Sequence, residues 1–379
     1  MNRIAFLTIG VVLLVGCLQA KASLASLEEK VARNPNKARA VYKLARRYCE
    51  EDSAVQAVET WKRLANLDLE LASDVFLRTK VAVYLGVEPF FPQPVSDSIA
   101  MTPRFSPDGK RIVFHSLKND QIGSMDFSGE NFRWITNDKR RNRGVCFAGS
   151  PDRFLYIRNT VDNSGMELVY YNAEGGGEPE VLFSGFSRFF ESPDWVSDEL
   201  PVLFGYMSLD TKSMEIGLYD RKAGEFIELT HNAYMNRYPR YSSNGKLIVY
   251  TNYRRLQPDI YIMSTRGRVT ERVTSWPGID IYPDFGDHDR KIAFVSDRNG
   301  GVQFDVFVYD RRTGEVIPVT YNEKMDTAPD LSDDGNWLLF QSNRDDGRPR
   351  SYIVPLNQPI SAEQLLAEIE AKGEQGGLR

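Results

Sequence analysis

The chain of 379 residues predicts a mainly β fold, a six-bladed β-propeller preceded by a small α-helical segment. Three observations predict it. A phrase whose full form is Thr102-Pro103-Arg104-Phe105-Ser106-Pro107-Asp108-Gly109 recurs from Thr102 to about Leu356. Its step is regular: Pro239 to Pro283 is 44 residues, Pro283 to Pro329 is 46, and Pro103 to Pro193 is 90, two steps of 45. Each copy carries four short β-rich segments, the pattern of one sheet per repeat.

The elements follow in order. Asn2 and Arg3 make a weakly positive start, and Ile4 to Val15 form an apolar run of twelve residues. That is short of the ~20 residues of a membrane-spanning helix and suits a secretory signal. The tetrad Leu14-Val15-Gly16-Cys17 resembles the bacterial lipobox. The resemblance implies cleavage before Cys17, a lipid on its sulfur and an acylated new N-terminus. More than one acyl chain is what makes such anchoring stable. An ordinary signal cut after Ala20 or Ala22 is the alternative. Leu18 after the cysteine, where an Asp would favour inner-membrane retention, points to the outer membrane. Residues 1–16 are thus read as a signal peptide and 17–88 as a helical segment.

Within that segment Leu24, Leu27 and Val31 share one helical face, and Asn34-Pro35-Asn36 breaks the run. Leu44, Ala45 and Tyr48, then Ala57 and Trp61, keep helical spacing on two further stretches. Their large–small–aromatic then small–aromatic order is similar to one tetratricopeptide repeat. A third helix is expected from about Leu69 to Leu85. Such a segment is either a spacer packed on the next domain or a peptide-binding groove. Glu88 to Pro94 holds three prolines, a stiff linker.

The propeller is expected over 89–359. Asp108-Gly109 and Asn244-Gly245 are tight turns joining the first and second strands. Ile112-Val113-Phe114, Leu247-Ile248-Val249-Tyr250 and Trp337-Leu338-Leu339-Phe340 read as buried second strands, and Val306-Phe307-Val308-Tyr309 as a third. Outer strands end at Ile135-Thr136, Leu182-Phe183, Leu229-Thr230, Val273-Thr274 and Val319-Thr320. Blade six has no such segment. Phe90 to Ser96 stands where it belongs by spacing, so it is expected to pair with Ser351 to Pro355 and close the ring. A C-terminal helix, Ala362 to Lys372, lies in the tail 360–379.

Ser106-Pro107-Asp108-Gly109-Lys110, an apolar strand, then Ser296-Asp297-Arg298-Asn299-Gly300 or Ser342-Asn343-Arg344-Asp345-Asp346-Gly347, and a Val/Leu-Thr ending, resemble the TolB-type propeller repeat. The resemblance covers about two thirds of the chain. In the periplasmic TolB family the propeller binds other proteins, a peptidoglycan-associated lipoprotein among them. This implies an envelope protein or peptide as partner. The chain departs from that family's namesake, which is not lipidated and has an α/β N-terminal domain.

Composition excludes little else. A formal charge of −5 argues against a nucleic-acid partner, which favours a basic face. With Cys17 lipidated, Cys49 and Cys146 remain, either as a disulfide in an oxidising compartment or as two buried thiols. His115, His231 and His288 fall in different blades without metal-ligand spacing. The chain lacks a Gly-x-Ser-x-Gly nucleophile elbow. No catalytic residue, metal or cofactor is therefore expected.

The candidate binding residues flank the repeated prolines. Asn236, Asp280 and Asp326 lie three residues before them; Arg104, Asp194, Arg240, Asp284 and Asp330 lie one after. They either satisfy turn amides or form a charged channel mouth for a peptide or a divalent cation. The expected function is a non-enzymatic, monomeric, lipid-anchored interaction scaffold of the cell envelope, attached to membrane only through its lipid. The alternative is a carbohydrate- or peptide-active propeller enzyme.

Overall fold

The computed structural model describes residues 22–95, 100–174, 176–184, 189–232, 234–254, 257–300 and 303–374. Cys17 and the preceding apolar run lie outside them. The chain forms two compact units, residues 1–71 and 72–379.

The first unit holds α1 (Leu24–Arg33), α2 (Ala38–Glu50) and α3 (Ala54–Leu67). Ser23 caps α1, its hydroxyl accepting from the Ser26 amide at 3.2 Å. The small residues Ala45 and Ala57 are fully buried where α2 meets α3, with Trp61 beside them. Tyr48 ties α2 to α1 by donating to Glu28 at 2.7 Å. Burial first, and the Glu28 hydrogen bond second, push its phenol up to about 12.

The expected third helix is two. Residues 69–72 form α4 (Leu69–Ala72), and α5 (Val75–Tyr84) starts afresh. The break has a local cause: Asp74 leaves the helical conformation, and its carboxylate accepts the Leu77 amide at 3.0 Å as an N-cap. The second unit begins at Ala72, earlier than the proline-rich linker. The reason is that α5 packs on the outer strand of blade five, Glu315–Pro318, and on α6 (Ala362–Glu374). Arg78 of α5 donates to the Ile360 carbonyl at 2.9 Å. Helix α6 opens with a capping box: the Gln364 amide donates to the Ser361 hydroxyl, and the Ser361 amide to the Gln364 side chain.

Six four-stranded antiparallel sheets make the propeller. Its core is a set of apolar wedges between neighbouring sheets. Ile112, Phe114, Leu339 and Ile353 fill the wedge between blades six and one, and Val249, Ile262, Phe285 and Phe294 that between four and five. Because both faces of each sheet are covered, the middle strands are continuously apolar.

The ring closes as expected. Gln93 pairs with Ile353 and Pro94 with Tyr352, so Gln93–Pro94 is the outer strand of blade six. The Val95 amide extends the pairing to the Ser351 carbonyl at 2.9 Å. Phe90 is fully buried in the wedge between blades five and six, a burial worth ~2–3 kcal/mol. Proline is tolerated there because the strand is an edge.

The repeated phrase has a mechanical basis. Ser106, Ser242 and Ser332 hydroxyls accept the Arg111, Leu247 and Trp337 amides at 3.0 Å across the first hairpin. Gly109, Gly245 and Gly335 turn the chain at φ of +67°, +66° and +67°. The recurrent threonine lies just beyond the outer strand. Thr136, Thr230, Thr274 and Thr320 accept the first amide of the third strand's core at 2.9, 2.8, 3.0 and 2.9 Å.

Candidate functional site: the channel ring and mouth

Every innermost strand contains one extra residue. The register against the second strand shifts between Met101 and Arg104, Arg143 and Cys146, Glu191 and Asp194, Arg237 and Arg240, Ile281 and Asp284, and Thr327 and Asp330. Inside each bulge one residue is left-handed: Thr102, Gly144, Ser192, Tyr238, Tyr282 and Ala328 have φ of +47° to +55°. A non-glycine residue held so costs ~1–3 kcal/mol and persists where surrounding packing enforces it. Five of these residues precede a proline; Gly144 precedes Val145.

The bulge divides the sequence-derived candidates into two sets. In a regular strand, residues four apart share a face. One inserted residue reverses the face beyond it. So Arg104, Asp194, Arg240, Asp284 and Asp330 come together, whereas Asn236, Asp280 and Asp326 turn away into their sheets and are fully buried.

The second set latches loops within and between blades. Asn236 donates to Glu215 of blade three at 2.9 Å and accepts from Asn252 at 2.7 Å. Glu215 also accepts from Thr230 at 2.6 Å. Asp280 takes both its bonds from Arg298 Nη2, at 2.8 and 3.0 Å. Asp326 accepts from Asn322 at 2.8 Å and from Arg344 at 3.1 Å. Arg344 also reaches Glu88, in the linker after α5, at 2.9 Å. Thr230, Glu215 and the strand-start Asn236 thus form a polar latch between blades three and four, and Thr320 likewise donates to Asp305 at 3.3 Å in blade five. Burial, and the nearby charge of Asp326, push Asp305 up to about 7.

The first set, with Cys146 at the equivalent position in blade two, forms the channel ring. Arg104 lies 2.7 Å from Asp330, 3.6 Å from Asp284 and 3.9 Å from Asp194. Arg240 donates to the Ser192 and Pro239 carbonyls at 3.1 and 3.0 Å, and its nearest carboxylate, Asp284, is 3.9 Å away. The carboxylates also bridge blades. Asp194, Asp284 and Asp330 accept the Tyr241, Leu331 and Phe105 amides of the following blade at 2.8, 2.8 and 2.7 Å.

Crowding shifts the ring's titrations. Burial, then the Asp330 charge, push Asp284 up to about 7. Burial likewise raises Asp330. Burial lowers Arg240, and the charge of Arg104 lowers it further. Arg104 rises, because its three carboxylates outweigh its burial. Burial pushes the Cys146 thiol up to about 12. Cys49 is buried in α2, and no disulfide joins it to Cys146.

Above the ring is a small pocket of about 40 Å³ lined by Thr102, Pro103, Arg104, Ser192, Tyr238, Arg240, Tyr282, Pro283, Ala328 and Pro329. The bulge residues missed by the sequence reading therefore form the mouth. Their signal was available: each residue before a repeated proline is one of them. The Tyr238 and Tyr282 rings lie 4.0 Å apart. Arg237 covers Tyr238 at 4.5 Å and grips the buried Glu191 through two nitrogens. Tyr234, Met235 and Trp276 stand exposed on loops leading into the innermost strands of blades four and five.

The histidines lie apart from this site. His115 faces Asp120 at 3.5 Å in blade one, His231 faces Glu228 at 3.3 Å beside blade three, and His288 sits in a blade-five turn. Among the described residues no three His, Cys, Asp or Glu side chains are grouped to hold a metal ion. Also among them, no helix is long and apolar enough to cross a membrane.

Known proteins share these blades. An uncharacterized protein of Agrobacterium fabrum is 26% identical over 218 residues, 55% of this chain and 67% of that relative. The Tol-Pal system protein TolB of Helicobacter pylori is 30% identical over 183 residues, 47% of this chain and 42% of its own. The chain thus spans less than half the length of that TolB. The crystal structure of TolB from Acinetobacter baumannii superposes with a TM-score of 0.51 at 19% identity, covering 71% of this chain and 66% of that one. That likeness shows the fold. The TolB beta propeller domain family, PD40, matches residues 151–371. This match, with six blades and their repeated bulge, makes the chain a member of the TolB beta propeller domain family.

Proposed function

We propose that the chain is a non-enzymatic, lipid-anchored protein of the bacterial cell envelope whose propeller binds a protein or peptide at the channel mouth. The observation that carries this reading is the mouth itself. Strained backbone recurs around one opening, and two tyrosine rings lie in contact beside it. Strain of this kind collects at ligand clamps, and aromatic residues with Arg dominate protein-binding hot spots. Kinship with Tol-Pal system proteins supports an envelope setting. The ring's carboxylates are engaged by arginines and backbone amides, which suits a rigid platform better than proton transfer. Cys17, outside the described residues, is the proposed lipid site, with the mature protein monomeric on the periplasmic side of the outer membrane.

Two measurements test the proposal. Cys17→Ala should move the protein from the membrane to the soluble envelope fraction, or stall its maturation. Unchanged fractionation, with no acyl mass on the wild-type N-terminal peptide, contradicts the anchor. Affinity capture from envelopes should lose its bound protein with Tyr282→Asp and keep it with Asp334→Asn, on the opposite rim. Equal capture by both variants contradicts the mouth as the binding face.

A further inference from the structure

The ring's charges are unequally accessible. Among the described residues, Arg104 and Arg240 are the ring members that line the mouth pocket, and no carboxylate lies on its wall. The three aspartates are held sideways by amides of the next blade. Both arginines keep donors to spare. Arg240 uses Nη1 for its two carbonyls, and its Nη2 has no partner among the described residues. Arg104 meets its carboxylates through Nε and Nη2, leaving Nη1 without a partner among the described residues. The side chains are 13% and 15% exposed, so a ligand entering from the mouth can reach them. The Thr102 hydroxyl, on the pocket wall, is buried and lacks a partner among the described residues. A buried donor without an acceptor costs ~1–3 kcal/mol.

We infer that the mouth is a carboxylate socket, and that its occupant is an acidic side chain of the bound protein. This rests on the binding reading above and names its chemistry. Two guanidinium groups at one floor match the oxygens of a carboxylate. The walls of Tyr238, Tyr282, Pro283 and Pro329 accept the methylene stem. The volume of about 40 Å³ admits about three waters, enough for a carboxylate and its adjoining methylene. Asp284, facing Arg104, Arg240 and Asp330, binds a proton near neutrality and so weakens repulsion of an incoming anion.

The test uses the whole protein labelled with [15N]arginine and two peptides, acetyl-Ser-Gly-Glu-Gly-Ser-amide and its Gln counterpart. The Glu peptide should shift the Nε–H resonances of Arg104 and Arg240, and the Gln peptide should bind at least tenfold more weakly. Arg240→Gln should lose at least tenfold in affinity for the Glu peptide, while Arg240→Lys retains part of it. Thermal melting monitored by circular dichroism verifies that both variants fold. Equal affinity for the two peptides, or unchanged binding by folded Arg240→Gln, overturns the inference. Acetate binding as tightly as the Glu peptide overturns the side chain as the source. If Tyr282→Asp still abolishes protein capture while the Glu and Gln peptides bind alike, the binding face stands and the carboxylate socket alone falls.

Discussion

Asp284 shows how one residue can carry both architecture and charge. Its oxygen bridges blade five to blade six through the Leu331 amide, yet burial beside Asp330 raises its pKa to about 7. An unfolded Asp titrates near ~3.9. A raised folded value means the native state holds the proton more tightly. Its stabilising contribution is therefore full below about pH 4 and is lost as pH rises through about 7. Asp284→Asn keeps an acceptor oxygen and removes the titration. The variant's Tm should match wild type near pH 4.5 and exceed it at pH 8. Comparing the two proteins cancels the similar titration of Asp305. A Tm offset that is the same at both pH values contradicts this account. The ring arginines and aspartates were legible because each follows a repeated proline. Tyr238 and Tyr282 carry a positional mark too, one residue before a repeated proline, but no charge that singles them out. Nor could spacing alone reveal that Asn236, Asp280 and Asp326 face the other way. The inserted residue that reverses them leaves no mark in an apolar–polar pattern.

At the scale of the element, the threonine latch links the outer strand to the third strand and to the next blade. Thr230 accepts the Ile216 amide and donates to the fully buried Glu215. Thr230→Val preserves shape but strands the Ile216 amide and takes one donor from the Glu215 carboxylate, which keeps Asn236 and the Asn232 amide. It should destabilise by ~1–3 kcal/mol, read as a lower urea midpoint, while Thr230→Ser stays near wild type. A midpoint unchanged by valine removes the latch from the account. The Val/Leu-Thr ending was visible in the sequence by its period; its role was not, since the threonine acts past the strand it seemed to end. The helical spacing of Leu44, Ala45, Tyr48, Ala57 and Trp61 likewise sufficed to place α2 and α3. The split between α4 and α5 depends on one capping aspartate, Asp74, inside an otherwise continuous helical pattern.

At the scale of the whole molecule, the ring is closed by strands from distant parts of the chain, Gln93–Pro94 on Arg350–Pro355. This closure was legible from what blade six lacked. Removing residues 17–71 leaves α5, Phe90 and the closing strand in place, and the propeller should melt close to its full-length temperature. Removing residues 17–94 opens the sheet edge and empties the Phe90 site, so Tm should fall by several degrees. Equal melting of both truncations contradicts the closure's energetic role. A closed ring fixes six bulges around one opening, and function is assigned to that opening. The most direct test is photo-cross-linking in intact envelopes, with a benzophenone side chain placed at Thr102 or Ser192 on the mouth, or at Asp108 or Asn244 on the opposite turns. The account predicts a discrete protein adduct from both mouth positions and none from the turns. Adducts from the turns alone, or equally from both rims, would contradict it.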